Sequence, residues 1–197
     1  MINRELYMEQ ITPFIDKPFV KVITGIRRCG KSVVLRLIRE ELLRRGVSED
    51  HIIYMNFESF EWMDVKEAKA LYTYIREVTK VSGKYYILLD EIQEVTDWEK
   101  AVNAFLVDLD ADIYVTGSNS RLLSSEFSTY LAGRYVAFHI MTLSFREYLL
   151  FHNVPLAISA SDRKAEFLKY LRMGGFPAIH TANYDYNAIY KIVYDIY

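Results

Sequence analysis

The sequence predicts an α/β fold: a parallel sheet flanked by helices, followed by a smaller all-helical region. Three observations carry that prediction. Short β-rich runs alternate with helical periodicity up to about residue 140, as strands joined by crossover helices do. The run KYYILL, Lys84–Leu89, is almost continuously apolar, as a parallel strand buried on both faces should be. A glycine-bracketed turn, residues 25–30, joins one β-rich run to a helical one.

Each element has its own warrant. Glu5–Ile15 reads as a short helix interrupted near Pro13. Phe19–Thr24 is the first strand. Lys31–Arg45 is helical, with Val34, Leu37, Ile38 and Leu42 on one stripe. Glu40 and Glu41 each stand four residues before an arginine, Arg44 and Arg45, the favourable pairing order, and Gly46 stops the helix. His51–Phe57 is a strand, Val65–Val78 a helix, Lys84–Leu89 a strand. Asp97–Leu109 is a helix opened by the capping pattern Thr96-x-x-Glu99. Asp112–Thr116 and Arg134–Ile140 complete the strands. Beyond Leu143 the pattern becomes all-helical. A second capping box, Ser144 to Glu147, opens a helix to Phe151, a helix spans Asp162–Arg172, Gly174-Gly-Phe-Pro177 follows, and a helical stretch begins at Asp185. The expected organisation is a nucleotide-binding core over 1–142 and a helical lid over 143–197. The last residues, Ile196-Tyr197, sit inside an apolar stripe, so the lid is expected to begin a longer C-terminal region.

Composition narrows the function classes. With 51% hydrophobic and 25% charged residues, the chain is neither disordered nor fibrous. A formal net charge of −2 argues against a globally basic nucleic-acid binder and leaves a local basic face open. One cysteine, Cys29, forms no intramolecular disulfide and fits a reducing, cytoplasmic setting. No apolar run approaches the roughly 18 residues of a membrane span, and charges occupy the amino terminus where a signal peptide needs an apolar core.

The chemistry concentrates at strand ends. Gly25-Ile-Arg-Arg-Cys-Gly30-Lys31-Ser32 fits the phosphate-loop pattern, between a strand and a helix as that motif requires. Gly25 and Gly30 let backbone N–H groups turn toward phosphate oxygens, and the helix N-terminus adds partial positive charge. Lys31 is placed to meet the β- and γ-phosphates, and Ser32 to ligate Mg²⁺; Val33 is counted with Gly25, Arg27, Arg28, Cys29 and Gly30 among the nucleotide-binding residues. Arg27 and Arg28 either touch phosphate or are solvated or paired. Cys29 is either a small residue that fits the loop or, next to cations, a redox-sensitive thiol. Asp90 and Glu91 end an apolar strand. Asp90 is the expected Mg²⁺ holder and Glu91 the general base for water, the alternative for Glu91 being a helix-start acid. Ser118 and Asn119 follow the next strand, either touching the γ-phosphate or capping a turn. Asn56, ending the second strand, is a candidate to restrain Glu91. Arg134 begins a strand read as lying on the nucleotide side, where it either stabilises transferring phosphoryl charge or makes a structural ion pair.

GIRRCGKS, YYILLDEIQ, TGSNSRLLS, LAGRY, LSFREYL and YLRMGGFP occur in that order. Together they resemble the prokaryotic AAA-type ATPases of the archaeal-ATPase-like group, whose members carry a C-terminal domain of unknown function. The resemblance covers nearly the whole chain. It implies a sheet with an additional strand between the phosphate-loop strand and the Asp-Glu strand, ATP as nucleotide, and a helical lid. It matches Gly30, Lys31 and Ser32 to the phosphate loop, Asp90 and Glu91 to the acidic pair, Ser118 or Asn119 to the sensor, and Arg134 to the GR position. Members are usually longer than this chain.

The resulting reading is Mg-dependent ATP binding and hydrolysis to ADP by a nucleotide-driven switch or motor with a protein or nucleic-acid partner. Its rivals are a P-loop kinase using Arg163, Lys164, Lys169 and Arg172 as lid cations, and a nucleotide-gated DNA or protein binder using Arg36, Arg39, Arg44 and Arg45. Lack of an N-K-x-D signature favours ATP over GTP. Nothing in the sequence fixes the oligomeric state.

Overall fold

The computed structural model describes residues 4–117, 131–181 and 184–196. Five strands form one sheet: β1 (Val20–Gly25), β2 (Ile52–Asn56), β3 (Tyr85–Asp90), β4 (Ala111–Thr116) and β5 (Tyr135–Ile140), in spatial order β2-β3-β4-β1-β5. β1 pairs with β4, β4 with β3 and β3 with β2, all parallel. β4 therefore separates the phosphate-loop strand from the Asp-Glu strand, as the resemblance implied. β5 runs beside β1 in the same direction: Val20 N donates to the Arg134 carbonyl at one end, and Thr24 Oγ1 meets His139 Nδ1 at the other.

Alternation along the strands sorts the two faces. On one face Val20, Val22, Met55, Ile87, Leu89, Ile113 and Val115 pack under α3 (Ala68–Val78) and α4 (Trp98–Asp108), through Leu71, Ile75, Val102 and Phe105. Each such fully buried aliphatic contributes about 1.5–3 kcal/mol relative to exposure. The opposite face carries Lys21, Ile23, Leu88, Asp90, Tyr114 and Thr116, and α2 (Lys31–Arg44) packs on β1, β3 and β4 there. At the amino ends of the strands this face is polar yet buried. Lys21, with no exposed surface, pairs with Asp112 and donates to the Lys17 carbonyl at 2.8 Å. Asp112 also accepts from Tyr114 Oη and the Asp16 backbone, each at 2.8 Å. At the carboxyl ends the buried polar residues of this face are Asp90 of the acidic motif and Thr116 of β4.

The chain divides into two compact units. One comprises Glu5–Gly25 and Lys31–His139, the sheet and its helices, with α1 (Glu5–Ile11) and a following 3-10 turn at Thr12–Phe14. The other gathers Arg4, Ile26–Gly30 and the chain from Ile140 onward. Its helices are α5 (Phe145–Phe151), α6 (Ala160–Met173) and α7 (Tyr186–Ile196). Phe145, Tyr148, Phe167 and Tyr170 form an aromatic cluster between α5 and α6. Gly175 explains part of the GGFP motif. Its carbonyl accepts from Leu143 N at 2.7 Å, and a Cβ there would stand 2.5 Å from the Leu143 carbonyl oxygen.

Three local expectations are corrected. Thr96 does not cap α4. Its backbone is drawn into a parallel bridge with Glu67, accepting from Ala68 N at 2.9 Å and donating to the Lys66 carbonyl at 2.8 Å, so Asp97 becomes the N-cap. Glu40 does not take Arg44. Glu41 receives both arginines, three and four residues on, and they hold its carboxyl below the ordinary range. Arg134 is at the amino end of β5, not the nucleotide side, because a strand parallel to β1 starts where β1 starts.

Candidate active site

The site is built where β1, β3 and β4 end. β3 delivers Asp90 at its last position, fully buried, its backbone paired in register with Asn56 of β2. Thr116 ends β4 on the same face. Its hydroxyl donates to Asp90 Oδ1 at 2.5 Å and accepts from the Glu91 backbone N–H at 2.9 Å. One side chain thereby fixes both acidic residues. Tyr54 of β2 donates to Asp90 Oδ2 at 2.9 Å, and burial together with the Asp90 charge pushes its hydroxyl up to about 12, so it remains a donor.

Glu91 turns the chain off the strand in the left-handed region, φ +53°, a conformation a non-glycine residue holds only when its surroundings enforce it. Thr116 on its N–H is one such constraint. Its carboxylate faces Lys31: Nζ lies 3.4 Å from Oε1, and Gln93 Nε2 donates to Oε2 at 2.6 Å. Lys31, the first residue of α2 and only 4% exposed, also reaches the Gly25 carbonyl at 3.4 Å. Lys31, Asp90, Glu91 and Thr116 thus converge at one end of the sheet. Ser32 and Val33 follow in the first turn of α2, both half-buried.

The donor set suits a magnesium ion. Both Asp90 oxygens meet neutral hydroxyls, and the Ser32 hydroxyl is a second hard oxygen donor; Mg²⁺ is commonly held by one or two such groups plus nucleotide phosphates. Among the described residues no group of three or more His, Cys, Asp or Glu forms an all-protein metal cage.

The loop itself reads residue by residue. Arg27 and Arg28 are exposed, and Arg28 takes φ +64°. Cys29 is buried, which withholds from solvent the thiol that a redox switch needs. Gly30 takes φ +106°, a conformation L side chains rarely adopt.

Some expected members are elsewhere. Asn56 does not restrain Glu91. Its Oδ1 accepts from Glu58 N at 3.0 Å in a local turn, and Gln93 bonds Glu91 instead. Ser118 and Asn119 lie outside the described residues. Arg134 donates to Asn103 Oδ1 at 2.9 Å and lines a cavity of about 450 Å³ with Asp16, Lys17, Lys84 and Asp110, all just before strands begin. The six residues of β1, at about 3.3 Å each, put roughly 17 Å between that end and Gly25. Thr116, Tyr54 and Gln93 escaped the sequence reading. Thr116 carries a faint signal, a polar residue closing an apolar strand beside the acidic one.

A sequence model of the AAA domain family matches residues 17–149, more than half of the chain. The chain belongs to the AAA domain family. Two curated relatives, both uncharacterised proteins, extend the match. One from Haemophilus influenzae is 45% identical over 184 residues, covering 93% of this chain and 46% of its own length. One from Methanocaldococcus jannaschii is 35% identical over 184 residues, covering 91% and 39%. The chain thus spans less than half the length of these relatives. Among solved structures, AMPPCP-bound DnaA from Aquifex aeolicus superposes with a TM-score of 0.59 at 15% identity, covering 98% of this chain and 62% of that one. The Aeropyrum pernix Orc1 protein in complex with DNA gives 0.53 at 14%, covering 100% and 66%. Those likenesses show the fold: this AAA domain is a P-loop NTPase sheet. No helix among the described residues is long and apolar enough to cross a membrane.

Proposed function

We propose that this AAA domain binds ATP with magnesium and hydrolyses it to ADP and phosphate. The observation that carries the reading is the Lys31–Glu91 pair, 3.4 Å apart, beside a buried Asp90 tied to Glu91 through one threonine hydroxyl. A phosphate-binding lysine and a general-base carboxylate hold each other until a nucleotide separates them.

Each residue then has a task. The backbone N–H groups of Gly25–Lys31 and the N-terminus of α2 receive the phosphates. Lys31 leaves Glu91 for the phosphate oxygens and neutralises charge as the terminal phosphoryl group departs. Ser32 and Asp90 would hold Mg²⁺, which screens the triphosphate charge. Glu91, released from Lys31 and still held by Gln93, accepts a proton from the attacking water. The water oxygen bonds to phosphorus as the bond to the bridging oxygen breaks, giving ADP and phosphate. Ser118 and Asn119 contact the γ-phosphate or the water in this scheme.

Arg134 acts on phosphate only from another copy of the chain, since its own loop is a strand length away. Residues 143–197 form a helical lid whose position follows the nucleotide, passing the change to a protein or nucleic-acid partner. The α2 arginines argue against a DNA surface there: Arg39 pairs with Glu49, and Arg44 and Arg45 with Glu41. The setting is cytoplasmic on this reading.

Isothermal titration with ATP and GTP, each with magnesium and with a chelator, tests the binding half. Magnesium-dependent ATP binding that Lys31→Ala abolishes supports the reading. Equal affinity for GTP removes the assignment to ATP, and no binding to either removes the whole proposal.

A further inference from the structure

Arg4 is a buried charge that the scheme above leaves unused. Only 3% of the residue is exposed. Its guanidinium meets three acceptors: Nε donates to Glu147 Oε1 at 2.6 Å, Nη1 to the Cys29 carbonyl at 3.0 Å, and Nη2 to the Met141 carbonyl at 2.8 Å. These acceptors come from the phosphate loop, the segment after β5 and α5. A buried cation is tolerated when its charge is paired and its donors find acceptors; here Glu147 pairs the charge and each of the three nitrogens donates to an acceptor. The guanidinium fork suits the task because its donors point in fixed, divergent directions; an ammonium offers a single nitrogen.

The Cys29 carbonyl belongs to the peptide leading into Gly30, one residue before Lys31. A Cβ on Gly30 would lie 3.2 Å from Arg4 Nη1, so the glycine also makes room for the arginine. Glu147 is shared in turn. Its second oxygen accepts from Ser144 N at 2.8 Å and Ser144 Oγ at 2.9 Å, completing the capping box that starts α5.

We propose that Arg4 is a positioning residue for the phosphate loop, and that the Arg4–Glu147 pair couples nucleotide binding to the helices that follow β5. The inference rests on the loop being the phosphate site. With its Cys29 carbonyl unheld, the loop spends less time in the competent conformation, and apparent affinity falls in proportion. By linkage, nucleotide bound at the loop must stabilise the α5 end.

The test measures MgATP dissociation constants by titration for the unmodified chain, Arg4→Lys, Glu147→Gln and Ser144→Ala, with folding checked by circular dichroism. Amide exchange over residues 145–151 is followed with and without MgATP. Ser144→Ala weakens the same helix start but leaves the Arg4–Glu147 pair. Arg4→Lys and Glu147→Gln are expected to weaken MgATP about tenfold, and Ser144→Ala less than about twofold. MgATP protection of 145–151 is expected in the unmodified chain and lost in Arg4→Lys. Should Arg4→Lys fail to fold, Glu147→Gln and the exchange data decide. Folded variants that bind MgATP as tightly as the unmodified chain overturn both the positioning role and the coupling, and leave the phosphate-loop reading standing. A Ser144→Ala variant as weakened as Arg4→Lys and Glu147→Gln overturns the coupling alone. An unmodified chain that binds no nucleotide overturns the phosphate-loop reading and this inference with it.

Discussion

Replacing Thr116 by valine removes a hydroxyl and almost nothing else, which makes it a sharp probe of the site. Thr116 and Asp90 are both fully buried. The hydroxyl gives one hydrogen bond to a carboxylate at 2.5 Å and takes one from a backbone N–H at 2.9 Å. A hydrogen bond to a charged group contributes about 1.5–3 kcal/mol, and an N–H left unsatisfied costs about 1–3 kcal/mol. Valine regains part of that because no hydroxyl is desolvated, leaving a loss of about 3 kcal/mol. At about 2–4 °C per kcal/mol for a chain of this size, melting falls by roughly 6–12 °C. Thr116→Ser keeps the hydroxyl and loses one buried methyl, about 1 kcal/mol. Turnover of ATP should fall about tenfold or more in the valine variant, since Glu91 loses the bond that fixes its backbone at positive φ. The assays are thermal melts and phosphate release. A valine variant that melts with the unmodified protein and turns over normally would show that the hydroxyl orders neither acid.

The remaining predictions concern the buried pair, the histidines and Arg134. Lys21→Met leaves Asp112 buried without its cation and should cost about 3 kcal/mol in urea unfolding, the low end of the range for a broken buried pair because Tyr114 and the Asp16 N–H still donate. A loss below about 1 kcal/mol would mean those two donors suffice. His180 donates through Nε2 to the Gly174 carbonyl at 2.9 Å, so its Nδ1 accepts from His152 Nε2 at 3.0 Å. Burial, reinforced by His152, lowers its pKa from 6.5 and keeps it neutral. The unfolded chain then binds the extra proton, and stability falls as pH drops below about 6.5, by at most about 1.4 kcal/mol per pH unit, until the folded-state pKa is reached. Melting curves at successive pH values should show this limb, and His180→Gln should flatten it; an unchanged limb would assign it elsewhere. If Arg134 serves a neighbour's site in a dimer, Arg134→Ala and Glu91→Gln are each inactive, and their equal mixture recovers about a quarter of normal turnover. A mixture with no recovery removes the cross-subunit role.

How legible the molecule is in its sequence varies with the kind of physics involved. The order of strands and helices is readable because burial imposes periodicity, and the observed elements differ from it by only a few residues at their ends. The phosphate loop and the acidic pair are readable because their chemistry demands particular residues at fixed spacing. Arg134 is misplaced by the sequence reading for a geometric reason: strand starts and strand ends of a parallel sheet lie on opposite edges, whatever the residue at the start. Asn56 and Gln93 are both amides near Glu91, and only the turn after β3 decides which one reaches it. Thr96 satisfies a capping pattern that a backbone bridge to Glu67 overrides. Arg4 and Glu147, 143 residues apart, leave no local signal at all.

The central claim is that Lys31 and Glu91 divide binding and proton transfer between them. Phosphate release from MgATP, measured together with ATP affinity for Glu91→Gln and Lys31→Ala, tests it most directly. The account predicts release by the unmodified chain, none above about a hundredth of that rate in either variant, and ATP affinity retained in Glu91→Gln but lost in Lys31→Ala. Undiminished release by Glu91→Gln would contradict the account.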